Sequence, residues 1–502
     1  MRGDRIRELG GWLGALLLAT ATAAQVASTE RAELLFRDGD SLVVALLVRS
    51  ITEGQPFDWA MSSVLFIPET LAFGMLWMLS RPFDPGVDIV LAAAGALNLV
   101  GLYGGIRLAA GRRRDGAAPV AWSLVALAAF CLLAATETSS SRDALELASL
   151  QLTTTYYAAT AVAVVVSVGI VRRAFDRSGI GRSLPVWLAA VASASVLSNP
   201  LFVAWATVPL AAILGVAAVY PTSRRKAVLL LAWLLGGTVV GLLARIPLSL
   251  WIANSGTGYA QPGQWPESAR YYGDLLAQRL SNPLGVTAAF LVAALLVLAI
   301  RQALRAQDAG ARVVAASAFV LPLLVTIGAI ALGTHATRYL EPALFAPVLA
   351  LVASPRIMRV SRRAATVLTA TVASVLVVGA ALSVPRILAA AQHPDPDLTC
   401  VTDWVTESGR TGGGQFWTAR LPKLHLDDPS QLVQVDHRLS AYAWLVNRSD
   451  FAAGEVTFLI EDAHSTPWQL GSNAVPTDTV SCGRYTIHDF APATLPLGPQ
   501  HF

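Results

Sequence analysis

Charged side chains are missing from long stretches of this chain. Runs without Asp, Glu, Lys, Arg or His cover residues 11–27, 89–106, 118–135, 154–171, 184–197, 201–219, 227–243, 285–300, 313–332, 342–353 and 365–383. A helix needs about 20 apolar residues to cross the hydrocarbon layer. The pattern predicts an α-helical polytopic membrane protein with a bundle of about 11 transmembrane helices. A transmembrane β-barrel would show alternating apolar and polar positions instead. One further apolar stretch, Trp59 to Ser80, carries Pro68-Glu69 in its first half.

The basic clusters decide how that stretch is read. If it crossed, Arg112-Arg113-Arg114, Arg172-Arg173, Arg224-Arg225-Lys226 and Arg362-Arg363 would all face away from the N-terminal arginines. If it lies in the interface, every cluster obeys the positive-inside rule. With eleven spans the inner segments hold 21 Lys+Arg against 5 acids, and the outer segments 16 against 28. Residues 69–80 therefore read as a short amphipathic helix on the outer leaflet, with the N-terminus cytoplasmic and the C-terminus extracytoplasmic. Ala24 and Ala27 also offer a small-residue cleavage pattern, and cleavage there would leave the remaining topology unchanged.

Composition agrees with the membrane reading. The chain is 54% hydrophobic and 14% charged, with a mean hydropathy of +0.55, whereas soluble domains are about a quarter charged. The net charge of +4 resides in arginine clusters beside apolar runs, not along one face, which argues against nucleic acid as a partner. Only Lys226 and Lys423 are lysines. That bias resembles a GC-rich bacterial genome and points to a bacterial cytoplasmic membrane.

The cytoplasmic loops are short and offer no phosphate-binding Gly loop or paired carboxylates. All seven His residues fall on the outer side, so the chemistry is expected there. Residues 1–383 form the transmembrane domain, with outer loops 28–88 and 244–284. Residues 384–502 change to alternating strands, such as 456–460 and 484–487. Turns are expected at Gly412-Gly413-Gly414 and Asp427-Asp428-Pro429, giving an extracytoplasmic α/β domain. Cys400 and Cys482 bracket this tail in an oxidising compartment, so a disulfide between them is expected. No metal-spacing motif is present.

The sharpest chemical feature is Phe36-Arg37-Asp38-Gly39-Asp40-Ser41, just after the first span. Asp38 and Asp40 at the membrane surface can act as a general base or hold a divalent cation such as Mg or Ca. The plainer reading is an Asx turn in which Asp40 caps a helix over 41–51. Glu69 follows Phe66-Ile67-Pro68 at a helix start that favours an anion. The turn from Thr334 to Pro342 supplies Arg338, whose guanidinium suits a lipid phosphate, with Tyr339 at headgroup depth. A snorkelling anchor is the alternative for Arg338. Arg245 is a second such cation, and His335 is a further substrate-site candidate. Trp404, Trp417, Tyr442, Trp444 and Trp468 can stack on sugars or form the tail's core.

An acidic pair in the first outer loop, an interfacial helix behind it and an Arg338-Tyr339-Leu340-Glu341-Pro342 turn late in the bundle resemble the GT-C superfamily of membrane glycosyltransferases. Asp40 to Leu42 with Phe66 to Glu69 are similar to bacterial GT-C-like proteins that carry an aspartate followed by an FFPD arrangement. The segments Gln415 to Arg420 and Gln434 to Leu439 resemble that group too. The resemblance implies transfer of a sugar from a polyprenyl-phosphate carrier to a cell-envelope glycan, lipid or protein, with inversion at the anomeric carbon. Carried onto this sequence, Asp40 or Asp38 takes the acceptor's proton, and Arg338 holds the departing phosphate. Glu69 replaces the FFPD aspartate, and the Asp-Gly-Asp spacing differs from the adjacent pair of many members, so either aspartate remains a candidate base. The superfamily contains both metal-dependent and metal-independent branches.

The rival class is a lipid transporter or flippase, or a cell-envelope assembly protein. Ion-coupled carriers place ionisable residues within their spans, and none of the eleven runs has one. A flippase with an apolar groove escapes that objection.

Overall fold

The computed structural model describes residues 2–112, 116–179, 181–357, 361–471 and 474–502. Arg113 and Arg114, two of the arginines in the topology argument, lie outside the described residues. In chain order the helices are α1 (Arg2–Ala27), α2 (Ala32–Phe36), α3 (Val43–Thr52), α4 (Ile67–Ser80), α5 (Val87–Ala109), α6 (Pro119–Ala135), α7 (Ala158–Asp176), α8 (Ser183–Ser198), α9 (Val208–Val219), α10 (Pro221–Ala244), α11 (Trp265–Leu280), α12 (Pro283–Arg305) and α13 (Ala309–Ala331). They continue with α14 (Pro342–Phe345), α15 (Ala350–Ala353), α16 (Arg362–Ala391), α17 (Pro396–Ser408) and α18 (Phe416–His425).

Among the described residues, seven helices are long and apolar enough to cross a membrane: most of α1, then α5, α7, α10, α12, α13 and most of α16. Three of the other runs expected to span form shorter apolar helices over Pro119–Ala135, Ser183–Ser198 and Val203–Val219. The run 342–353 is broken into α14, a 3-10 turn over Pro347–Leu349, and α15. Pro342 and Pro347 explain the breaks, because proline cannot donate to the preceding turn. As a helix those residues would reach only about 18 Å, short of a roughly 30 Å core.

The chain divides into two compact units. The first comprises residues 1–32, 92–247 and 257–391, and contains most of the apolar helices. Its helices approach closely where glycine allows. A Cβ on Gly237 or Gly241 of α10 would strike the backbone of α8 at Ala189 or Ser193, the small-xxx-small contact by which membrane helices pack without a hydrophobic driving force. Polar links join them as well: Asn199 donates to Thr160 at 2.9 Å, and Thr207 and Thr238 share a 2.9 Å bond.

The second unit gathers residues 33–91, 248–256 and 392–502. The tail therefore folds together with the first outer segment. Its strands begin with β1 (Trp59–Ala60), β2 (Gly412–Gly414), β3 (Leu432–Gln434), β4 (Ser440–Tyr442), β5 (Val446–Asn447), β6 (Glu455–Val456), β7 (Phe458–Glu461), β8 (Asp478–Cys482) and β9 (Tyr485–Asp489). A mixed sheet runs β3-β2-β7-β9-β8, with β2 parallel to both neighbours. The triple glycine expected as a turn is thus an interior strand. A Cβ on Gly412 would run into the Phe458 ring, so glycine serves close approach here, not a bend. Leu432, Phe458, Ile460 and Ile487 face one core with Val401 and Val405 of α17; Val433, Val456 and Leu459 face another. Cys400 and Cys482 form a disulfide. The outer segment joins by β1 pairing antiparallel with β5.

Helix α4 begins with Pro68 in its first turn after Phe66, whose φ of +49° turns the chain sharply. Its 14 residues reach about 21 Å. Leu71, Met75, Met78 and Leu79 are exposed on it, an apolar surface suited to the membrane interface.

Candidate active site residues in the two units

In the second unit, the acidic loop follows α2. The Asp38 carboxylate accepts the backbone N–H groups of Asp40 at 3.2 Å and Ser41 at 3.3 Å, and the Asp38 carbonyl accepts Ser41 N–H at 2.9 Å. This is an Asx turn, but Asp38 makes it. Asp40 does not cap α3, whose N-cap is Leu42 without a side-chain bond. The half-buried Asp40 carboxylate accepts no hydrogen bond from the described residues.

Beneath this loop lies a residue that sequence reasoning did not single out. Arg420 of α18 is 1% exposed. It donates to Gly39 O at 2.8 Å, Leu445 O at 2.7 Å, Trp444 O at 2.9 Å and Gln434 Oε1 at 3.2 Å, and lies 3.8 Å over the Phe416 ring. Burial lowers its pKa to about 10, while the charges of Asp40 and then Asp38 act in the opposite direction. The amide of Gln434 donates to Tyr442 O and Trp444 O, both at 2.9 Å, which turns its oxygen toward Arg420. Glu69 is buried in the first turn of α4. Trp404 and Trp468 pack on the tail's cores.

The first unit holds the Arg338 turn, a 3-10 helix over Thr337–Leu340. Arg338 Nε donates to the Tyr157 hydroxyl at 3.2 Å, and the guanidinium lies 5.9 Å from the Tyr156 ring. Tyr157 stacks on Tyr339 at 6.5 Å and meets Trp205 edge-on at 5.8 Å; Trp205 Nε1 donates to Tyr339 O at 3.1 Å. The sequence pattern starts this span at 154, but α7 begins at Ala158, leaving both tyrosines outside the helix. Tyr157 has φ of +64°, a strained position for a bulky residue.

Glu341, at the end of the same turn, is 2% exposed, and its Oε1 has no hydrogen-bond partner among the described residues. Burial holds this carboxyl well above the ordinary range; Arg338 pulls it down and Glu137 pushes it up. Behind the turn, the buried Arg31 donates to Ser149 Oγ and to the Ser139 and Ser141 carbonyls, each at 2.8 Å, and Glu137 accepts Ala148 and Ser149 N–H at 2.9 and 2.7 Å. His335 packs edge-on against Tyr271 at 5.4 Å. Arg245 donates to Leu197 O at 2.7 Å, at the C-terminal end of α8, where a cation meets the negative end of the helix dipole.

Asp38, Asp40 and Glu69 thus belong to one unit, and Arg338, Tyr339, His335 and Arg245 to the other. Two signals were available in the sequence. Glu341 stood inside the Arg-Tyr-Leu-Glu-Pro turn, and Arg420 closed the segment Gln415 to Arg420.

No family model matches this sequence, and none of the curated proteins matches it. Its structure is similar to that of the oligosaccharyltransferase of Archaeoglobus fulgidus crystallised with Zn and sulfate. The TM-score is 0.45 at 10% identity over 89% of this chain and 68% of that one. A second structure, of the oligosaccharyltransferase AglB from the same organism with an inhibitory peptide and a dolichol-phosphate, gives 0.45 at 11% identity over 90% and 69%. The likeness is loose, and it names no substrate for this chain.

Proposed function

We propose that the protein is a GT-C-type membrane glycosyltransferase that moves a sugar from a polyprenyl-phosphate carrier to a cell-envelope acceptor on the outer face of the cytoplasmic membrane. The observation that carries this reading is the division of labour in the acidic loop. Asp38 is occupied by the turn, which leaves the Asp40 carboxylate available as general base.

In the proposed reaction the acceptor hydroxyl attacks the anomeric carbon while Asp40 takes its proton. The bond from that carbon to the carrier's phosphate oxygen breaks, with inversion, and the electron pair leaves with the lipid phosphate. Arg338, aligned by Tyr157 and Tyr156, neutralises the charge that develops there. A divalent cation would be held by Asp40 with Asp38, since magnesium commonly takes one or two carboxylates and completes its shell with water. Such an ion would supply positive charge beside the acceptor oxygen. Among the described residues no group of three or more His, Cys, Asp or Glu forms a fuller cage.

The test is to delete the gene in its host and profile polyprenyl-phosphate lipids by mass spectrometry, beside a strain complemented with Asp40→Asn. A glycosylated monophosphate carrier that builds up in both strains supports the reading and names the donor. An unchanged carrier pool in both overturns it in favour of lipid handling or assembly.

A further inference from the structure

A buried guanidinium is costly unless its N–H groups are satisfied. Among the described residues Arg420 meets that need with one side-chain amide and three backbone carbonyls as acceptors. Gln434, Trp444 and Leu445 belong to the tail and fix the plane of the group from three directions, with the Phe416 ring covering one face. The fourth acceptor, Gly39 O, comes from 381 residues earlier in the chain. The tail therefore presets the guanidinium and presents one N–H to the middle of the Asp38-Gly39-Asp40 turn.

The side chains around Gly39 complete the seat. A Cβ there would come within 3.1 Å of the Trp417 ring and 3.4 Å of Arg420 Cδ, tight enough to need a neighbour to shift. The two aspartates add a longer-range hold, because their charges are those that favour the charged form of Arg420.

We propose that Arg420 is a positioning residue for the acidic loop: through it the outer tail fixes the turn that presents Asp40. The catalytic meaning rests on the transferase reading, whereas the clamp itself can be tested apart from any activity. It also gives the tail a task other than acceptor recognition, and gives Trp417 a partner other than a sugar face.

The test uses the full chain in detergent, with hydrogen exchange of residues 37–42 followed by mass spectrometry. In Arg420→Ala exchange there should rise about 10-fold, the loss expected for a charge-assisted bond. Tens of millimolar guanidinium chloride should restore protection, and equal potassium chloride should not. Wild-type exchange in Arg420→Ala, or acceleration that guanidinium fails to reverse, overturns the proposal. If that variant loses the tail's fold, seen as fast exchange across 396–408, Arg420→Lys decides. Selective acceleration at 37–42 in a folded Lys variant supports the clamp, and wild-type exchange there overturns it. The two readings fail separately. An unchanged carrier pool in the deletion strain with an unprotected loop in Arg420→Ala removes the transferase reading and keeps the clamp, whereas a carrier that builds up with a loop still protected in Arg420→Ala does the reverse.

Discussion

The acidic loop and the Arg338 turn are built as electrical opposites. In the first, a half-buried carboxylate pair is set over a buried guanidinium that bonds to neutral oxygens. In the second, a guanidinium steadied by tyrosines is followed by a buried carboxyl whose Oε1 meets no donor among the described residues. The difference teaches that a buried ionisable group can be accommodated in two ways: Arg420 by neutral oxygens that accept its N–H groups, and Glu341 by burial that favours its neutral form.

The comparison can be broken at its strongest point first. Asp40→Asn should lower the transfer rate about 10³-fold, as loss of a general base does. Asp38→Asn should cost far less, because an Asn carbonyl still accepts the N–H groups of Asp40 and Ser41. Single-turnover assays in membranes loaded with the accumulated donor check this, and equal losses would erase the distinction between the two carboxylates. Next in size, Arg338→Ala should slow transfer about 10²-fold, with Lys recovering part of the loss as a point charge without the fork. Tyr157→Phe removes one hydrogen bond to Arg338 and should cost about 5-fold, read as kcat/KM for the same donor.

The smallest effect sharpens the contrast. Burial raises the Glu341 carboxyl above its ordinary range, so its stabilising contribution is full below the ordinary Glu range. It is lost as pH rises toward the raised folded value. Glu341→Gln should therefore gain thermal stability relative to wild type as pH rises above the ordinary Glu range, with transfer changed less than about 3-fold. A melting difference that stays constant over that rise would mean that Glu341 is ionised in the folded protein.

What could be read in the sequence was local. Charge-free runs became helices except 342–353, which its prolines break, and the Pro68 signal marked the start of α4. The Asp-Gly-Asp spacing announced a turn without saying which aspartate makes it, because both choices satisfy the same dipeptide geometry. The tail's triple glycine passed for a turn because glycine marks both bends and close packing, and only the Phe458 ring distinguishes them. Tyr157 was hidden inside an apolar run that continues past the true helix start. The contact of Arg420 with Gly39 was out of reach, since no periodicity links residues 381 positions apart.

That separation has a consequence for how the molecule comes into being. At about 5 to 20 residues per second, synthesis takes roughly 20 to 80 seconds to pass from Gly39 to Arg420. During that time the β1 strand awaits Val446 and Asn447. The nascent chain thus carries an unassembled Asp38-Gly39-Asp40 loop until synthesis of the tail is nearly done. Translation itself acts as a timer, and a ribosome that stalls before α18 releases a product that is membrane-inserted but lacks the side chain that seats the turn.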